Sequence, residues 1–531
     1  MAINTEKVQS QAAELSSQLW SIANDLRGGM DANEFRNYIL GTIFYRYLSE
    51  RTESYIIHEV FTVENISYEE AFENEEYRPY AEKWSLEQRG YIIKPKNLFR
   101  ELYRKVVKPA DAGDKFSVED YERAVNDLVG STLGNKSQAA FAGLFDDMRL
   151  QDTRLGDTVS ERTEKIGKVI AKIGDIEMNL NDQEFDVLGT AYMILIGLFQ
   201  SGAGKKGGEF FTPVGPSTLC ATLASLGLDE AKAVGDCTCG SGSMLLDVRK
   251  HLTTGRVGHF YGQENNPTTY NLARMNMLMH GIEYQDFSIY KGDTLTNDMY
   301  GDDLRLTVQV CNPPYSLKWD AKPEFKDDPR YSGVDKLAPK SHADFAFLQH
   351  MVYHMDDVDG RVAVLLPHGV LFRGGAEEDI RQWLIVNLNR LDAVIGLPAN
   401  LFHGTSIPVC ILILKSKRNG NGNNILFIDA SKEFIKGKNQ NELSDEHIKK
   451  IIDTYSNRVD VEKYAHVATM DEIKANDYNL NIPRYVNTAD EEVVINLADV
   501  ADEIKSIDLE IADTEAKLKK SFDELGIDSP F

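Results

Sequence analysis

Apolar positions along the chain recur first at helical spacing and later at strand spacing. Leu15, Leu19, Ile22, Ala23 and Leu26 fall at steps of one, three and four on one helical face, which Gly28-Gly29 ends. Asp31 to Glu34 then reads as a capping box, with Asp31 in the place of Ser or Thr. It opens a second helix carrying Phe35, Tyr38, Ile39, Ile43, Phe44, Tyr47 and Leu48, an aromatic stripe that reads as core and not as a binding surface. These features predict an N-terminal helical domain over residues 1–165. From about Asp182 the pattern changes to a helix, a glycine-rich stretch over 201–208, and strands alternating with helices. Residues 233–236, 259–263, 307–311, 361–366, 391–397, 408–415 and 425–428 are the strand candidates. Such alternation predicts an α/β domain over 166–480, with a mainly parallel sheet, helices on both faces and ligands at the carboxyl ends of the strands. A turn is expected over 476–480, followed by a helical tail over 481–531. Val500, Ile504, Ile507, Ile511, Leu518 and Leu525 form a heptad seam there, with Thr514 and Ser521 as defects. One amphipathic helix must bury such a stripe on its own body or on a partner, and its position and acidity favour a partner. No internal repeat is found.

Composition narrows the function classes. With 531 residues, 42% of them hydrophobic and 27% charged, the chain has the make-up of an ordinary soluble protein of two or three domains. Apolar runs such as those at 362–367 and 409–414 fall far short of the ~20 residues that span a bilayer, so no membrane segment is expected. The first residues lack a basic start, an apolar core and a cleavage site, which predicts a cytoplasmic location. The five cysteines suit reduced thiols, and no second ligand pair lies at zinc spacing from Cys237 and Cys239, so no metal is expected. The net charge of −25 argues against a chain that binds DNA alone, because duplex binding rests on neutralising phosphates. It leaves room for a subunit whose partner supplies the basic surface. From Thr488 onward the tail holds 13 acidic and 4 basic residues, a net of −9, so over a third of the imbalance lies outside any catalytic core.

Three elements carry chemistry. In the first, a strand ends at Asp236 and a turn through Cys237, Thr238, Cys239, Gly240, Ser241, Gly242 and Ser243 feeds a helix. Two glycines let backbone amides approach a ligand and aim a helix N-terminus at it; this turn does not follow the dinucleotide pattern G-x-G-x-x-G. About twenty residues on, Glu264 ends the next strand, where a carboxylate can accept both ribose hydroxyls of a nucleoside. Asp293 follows at a third strand end, placed to accept from an adenine amino group. The decisive element is Asn312-Pro313-Pro314-Tyr315, directly after an apolar strand. An exocyclic adenine amine is a weak nucleophile because its lone pair is delocalised into the ring. The Asn312 side-chain carbonyl and the Pro313 backbone carbonyl can accept its two hydrogens and free that lone pair for a methyl donor. The prolines preorganise the carbonyls, and Tyr315 can stack on a base that has left the helix. The other reading is a proline-rich ligand for a recognition domain; such ligands lie in disordered segments, not at the end of an apolar strand.

With a cofactor turn preceding NPPY, the chain resembles the amino-methyltransferases, and most of its length is similar to the methylation subunits of type I restriction-modification systems. The likeness runs through residues 19–26, 208–213, 271–276, 338–345, 373–376 and 476–480. It implies a Rossmann-like S-adenosylmethionine-dependent methyltransferase sheet, with S-adenosyl-L-methionine as cofactor and N6 of adenine as acceptor. By the same resemblance Glu209, Phe210, Phe211, Thr212, Pro213 and Val214 close over the methionine end of the cofactor, with Thr212 facing its carboxylate; Ser241 to Ser243 lie at the turn, Glu264 at the ribose and Asp293 by the adenine. Family members usually carry proline where Cys237 stands, which puts the rigidity of this loop in question. The implied partners are double-stranded DNA with a flipped adenine, a separate specificity subunit, a second copy of this chain and a motor-nuclease restriction subunit. Lys318, Trp319, Lys322, Lys326, Arg330 and Tyr331 form a loop that either contacts phosphates near the flipped base or is plain surface. A stand-alone N6-adenine methyltransferase, an RNA- or glutamine-modifying relative, and a cofactor-binding scaffold without activity are the rival readings.

Overall fold

The computed structural model describes all residues except 1–4, 27–29, 31, 56–65, 177–183, 202–211, 403–404, 439, 489–496, 529 and 531. The expected glycine ending of the first helix, the Asp31 cap and the 201–208 stretch beyond its first residue lie outside the described residues.

The helices Ala32–Tyr55, Val118–Ser131 and Val159–Gly174 build the N-terminal region. Thr158 and Glu161 form the reciprocal capping box that starts the last of these. The aromatic stripe of Ala32–Tyr55 is buried as expected, and Leu40 and Tyr45 are buried with it, because neighbours cover the helix on more than one side. Its Arg46 guanidinium donates to the Ile173 carbonyl, and Tyr45 donates to the Asn97 carbonyl at 2.6 Å, so polar tips in the core find partners.

Strands β1 (Glu230–Asp236), β2 (Arg256–Glu264), β3 (Phe287–Lys291), β4 (Val308–Cys311), β5 (Arg361–Pro367), β6 (Leu391–Gly396), β7 (Val409–Lys415) and β8 (Asn424–Asp429) belong to one sheet. A short antiparallel pair, β9 (Ile435–Lys436) and β10 (Asn441–Glu442), stands apart. β11 (Ala465–Thr469) completes the main sheet, whose order is β11-β8-β6-β7-β5-β4-β1-β2-β3. Pairing is parallel from β3 across to β5 and between β6 and β8; β7 runs antiparallel between β5 and β6, as does β11 on β8. Alternate residues of β5 enter opposite core layers, Ala363 and Leu365 on one face and Val362, Val364 and Leu366 on the other. Cover on both faces is why these strands read as unbroken apolar runs. From β1 the chain moves outward through β2 and β3 and then returns to the other side of β1 as β4. The carboxyl ends of β1 and β4 therefore flank the point where strand order reverses, the usual crevice for a ligand in such sheets.

The helical region packs directly on the sheet's helices. Tyr47 donates to the Leu278 carbonyl at 2.7 Å, and Thr268 and Asn271 both bond the Asp147 carboxylate at 2.9 Å. Arg274, 1% exposed, donates to the carbonyls of Ala139 and Ala142, each at 2.9 Å. The compact body extends through Val486, because Ile482 and Val486 are buried in one of the sheet's core layers. The expected turn is present, with Asp477 and Tyr478 at positive φ. Residues 487–531 are a second unit, whose helix Leu497–Leu525 has no buried residue; Ile504 and Leu525 are 54% and 71% exposed.

Candidate active site

β1 delivers Asp236 to the crevice at 2% exposure. Burial pushes its carboxyl up to about 7, the Thr238 N–H at 3.0 Å opposes the rise, and the charge of Glu264 adds to it. The turn that follows places Gly240 and Gly242 at φ 54° and 78°, a conformation that side chains rarely adopt. Gly242 then caps the helix Ser243–His251 without a side-chain acceptor. Cys237, in the place where proline is usual, does not leave the loop loose. Thr294 donates to its carbonyl at 2.5 Å, and Tyr300 donates to the Asp236 carbonyl at 2.9 Å, so side-chain anchors do what a ring would.

Glu264, at the end of β2, takes the Gly240 N–H at 3.1 Å on one oxygen and the Asn266 N–H at 2.7 Å on the other. Burial raises its carboxyl, and these N–H groups work against the rise. Asp293, beyond β3, is half-buried and accepts from Leu295 N–H at 3.0 Å and the Thr296 hydroxyl at 2.9 Å. Among the described residues the Ser241 hydroxyl is buried without a partner, while the Ser241 carbonyl is held by Asn276 at 2.8 Å. A glycine turn, an unsatisfied hydroxyl and a strand-end carboxylate suit the amide, hydroxyl and ribose-binding needs of a nucleoside cofactor.

β4 carries the chain to Asn312, beside the β1 turn; the Thr238 hydroxyl reaches the Asn312 carbonyl at 3.4 Å. The Asn312 amide is held at both ends, Nδ2 donating to Thr212 Oγ1 at 3.0 Å and Oδ1 accepting from the Tyr315 hydroxyl at 2.7 Å. Pro313 is buried, and Pro314 and Tyr315 are half-buried. The Tyr315 ring meets Phe402 edge-on at 6.0 Å. Ser316, at φ 52°, is fixed by the buried Asp344 carboxylate, which accepts its N–H at 2.9 Å and lies 3.6 Å from Arg373. Asp344, Arg373 and Phe402 are supports that the sequence reading gave no role, although the first two sit in segments it singled out.

Of the remaining residues expected here, Thr212 is 7% exposed, Pro213 precedes the helix Val214–Ser225, and Val214 is 68% exposed at its first position. Glu209, Phe210 and Phe211 lie outside the described residues. The loop after NPPY divides. Lys318, Lys322 and Lys326 are exposed, whereas Trp319 and Tyr331 are core and Arg330 is buried. Arg330 pairs with Asp328 at 2.7 Å and donates to the Thr294 carbonyl at 2.6 Å, so it is committed to the interior and is neither of the two things expected of it, a phosphate contact or plain surface.

Asp298, His350 and His354 bring ligand-type atoms within 4.8 Å of one another. Arg330 lies 3.2 Å from His350 Nδ1 and can only donate, so the His350 proton resides on Nε2. Burial works to raise the Asp298 carboxyl, but the 2.8 Å bond from His354 and the neighbouring imidazoles outweigh it and hold it well below the usual range. The cluster is a hydrogen-bonded brace under Tyr300, whose ring packs on both histidines.

A mostly parallel sheet of this order, with its crevice beside a strand-end Asn-Pro-Pro-Tyr, has the form of a methyltransferase sheet. The family model described as N-6 DNA Methylase matches residues 183–493, and that of the HsdM N-terminal domain matches 15–173. The methylase subunit of the type I restriction enzyme MpnII from Mycoplasma pneumoniae is 34% identical, with 99% of this chain and 100% of that protein covered. The crystal structure of the methyltransferase subunit of a type I restriction-modification system from Streptococcus thermophilus superposes with a TM-score of 0.81 at 39% identity, covering 90% of this chain and 99% of the other. A chain from a structure of type I restriction-modification complex assembly shares the fold, with a TM-score of 0.62 at 17% identity and 96% and 98% of the two chains covered. The chain belongs to the N-6 DNA methylase family, among the methylase subunits of type I restriction enzymes.

Proposed function

We propose that this subunit transfers a methyl group from S-adenosyl-L-methionine to N6 of an adenine extruded from double-stranded DNA, at a sequence chosen by a separate specificity subunit. The observation that carries the reading is the Asn312 amide at the end of β4, beside the glycine turn of β1. S-adenosyl-L-methionine, when bound, supplies a methyl on a positively charged sulfur that keeps the electron pair as the methyl leaves. Gly240 to Ser243 and Glu264 would hold its adenosine, Asp293 its adenine, and Thr212 its carboxylate. Asn312 Oδ1 and the Pro313 carbonyl accept the two hydrogens of the target amine and draw it toward tetrahedral geometry. The amine gains a methyl and loses one proton; no general base is assigned, and positioning with the carbonyl clamp supplies the acceleration. Tyr315 turns its ring to the extruded base, and Lys318 and Lys326 lie on the exposed side of the same loop, open to phosphates, with Lys322 beside them paired to Asp320 at 3.4 Å.

Two copies of this chain would flank one specificity subunit, with a motor-nuclease subunit joining for cleavage. Among the described residues no helix is long and apolar enough to cross a membrane, which fits a cytoplasmic enzyme of this kind. The test is transfer of tritiated methyl to unmodified DNA by the chain with and without its specificity subunit. Transfer to adenine only in the mixture is the expected outcome; transfer by the chain alone at one short sequence would overturn the division of labour. Asn312→Ala is expected to keep cofactor affinity within about threefold while the rate falls ~10²–10³-fold, the usual loss when one preorganised transition-state partner is removed.

A further inference from the structure

We propose that Thr212 is a positioning residue for methyl transfer, its hydroxyl setting which end of the Asn312 side-chain amide faces the target base. The inference rests on the readings above that Asn312 accepts a hydrogen from adenine N6 and that Thr212 meets the cofactor's carboxylate.

An asparagine amide has one acceptor end and one donor end of nearly the same shape. Only the acceptor end serves the amine; with the amide reversed, its NH2 would oppose the hydrogens it has to bind. The Asn312 amide is spanned by two hydroxyls, Thr212 at 3.0 Å from Nδ2 and Tyr315 at 2.7 Å from Oδ1. A hydroxyl can donate or accept, so these two groups alone would tolerate either orientation by reversing together. Thr212 breaks the tie once its own proton is committed elsewhere. It sits 7% exposed, immediately before Pro213 and the helix Val214–Ser225. A carboxylate there has only lone pairs to offer and would take the Thr212 proton. The Thr212 oxygen would then have only lone pairs left for Asn312, and the amide would have to present Nδ2 to it. Oδ1 is thereby turned toward Tyr315, the side on which the base arrives. The Tyr315 hydroxyl, a donor 2.7 Å from Oδ1, holds the place an amine N–H would take. One threonine hydroxyl thus joins the cofactor pocket to the clamp, and filling the first sets the polarity of the second.

The experiment uses the full-length chain assembled with its specificity subunit, carrying Thr212→Val, which keeps the shape and removes the hydroxyl, or Thr212→Ser, which keeps the hydroxyl. Thr212→Ala serves as a second hydroxyl-free variant if the valine change impairs folding. Two quantities are read: the calorimetric Kd for S-adenosyl-L-methionine, and the single-turnover rate of transfer at saturating cofactor. Thr212→Val is expected to slow the saturated rate about tenfold or more, with any change in Kd failing to account for it, and Thr212→Ser to stay within about threefold of the unmodified enzyme. A valine variant whose only defect is a weaker Kd, with the saturated rate restored, would overturn the proposal and leave Thr212 as a carboxylate ligand alone. So would a serine variant as slow as the valine variant, or a valine variant that matches the unmodified enzyme in both measurements. Absence of methyl transfer to adenine by the unmodified assembly would instead sink the functional reading itself.

Discussion

Asp236 keeps a proton that an ordinary aspartate would have lost. Burial at the end of β1, opposed by one N–H and reinforced by Glu264, raises its carboxyl from 3.8 to about 7. Between those values the folded chain binds a proton that the unfolded chain has released, so this group favours folding fully below about pH 4. Its contribution is lost as pH rises through about 7, by up to ~1.4 kcal/mol per pH unit over that window. Asp236→Asn removes the titration but keeps the shape. We expect the variant to gain stability relative to the unmodified chain as pH goes from 5 to 7, read as the difference between their urea midpoints. A constant difference across that range would show that Asp236 ionises normally in the folded chain. The same linkage predisposes the crevice to welcome a donor group beside Asp236, since a bond to the carboxylate would favour its charged form.

At the level of elements, what the sequence revealed depended on whether the physical signal was local. The central strands and the NPPY turn were legible because burial on both faces writes an apolar run into each strand, and because paired prolines constrain their own backbone. β11 was missed: it is an edge strand, Ala-His-Val-Ala-Thr, with no such run, and it exists through its pairing with β8. The hold of Asp344 on Ser316, and the departures at Cys237 and Arg330, were equally hidden, since each rests on a partner distant in sequence. Arg274 is the strongest case. Its guanidinium, 4.1 Å over the Tyr270 ring, satisfies carbonyls of the helical region while rooted in the helix Pro267–Met279 under the sheet. Arg274→Met would leave those carbonyls buried without a donor, at a cost of ~3 kcal/mol. Urea unfolding should register that loss, together with faster proteolysis of the helical region; a change below ~0.5 kcal/mol would mean that water replaces the guanidinium.

For the whole molecule, charge and exposed apolar surface lead to the same expectation. A chain of net charge −25 is expected to bind DNA weakly by itself, and its second unit carries a helix with a heptad seam of Val500, Ile504, Ile507, Ile511, Leu518 and Leu525. Exposed apolar side chains on a helix are ordinary when scattered, but a heptad repeat over four turns or more is the pattern of a helix built to pack on another. Under the proposed function that partner is the specificity subunit, which would bring most of the basic surface. The double variant Ile504→Glu with Ile511→Glu interrupts the seam without touching the body, whose core ends at Val486. We expect the melting temperature of the isolated chain and its affinity for S-adenosyl-L-methionine to be unchanged, while co-elution with the specificity subunit and methylation of DNA are lost together. Assembly that survives the two substitutions would place the subunit contact on the body, and the seam would then have to answer to another copy of this chain.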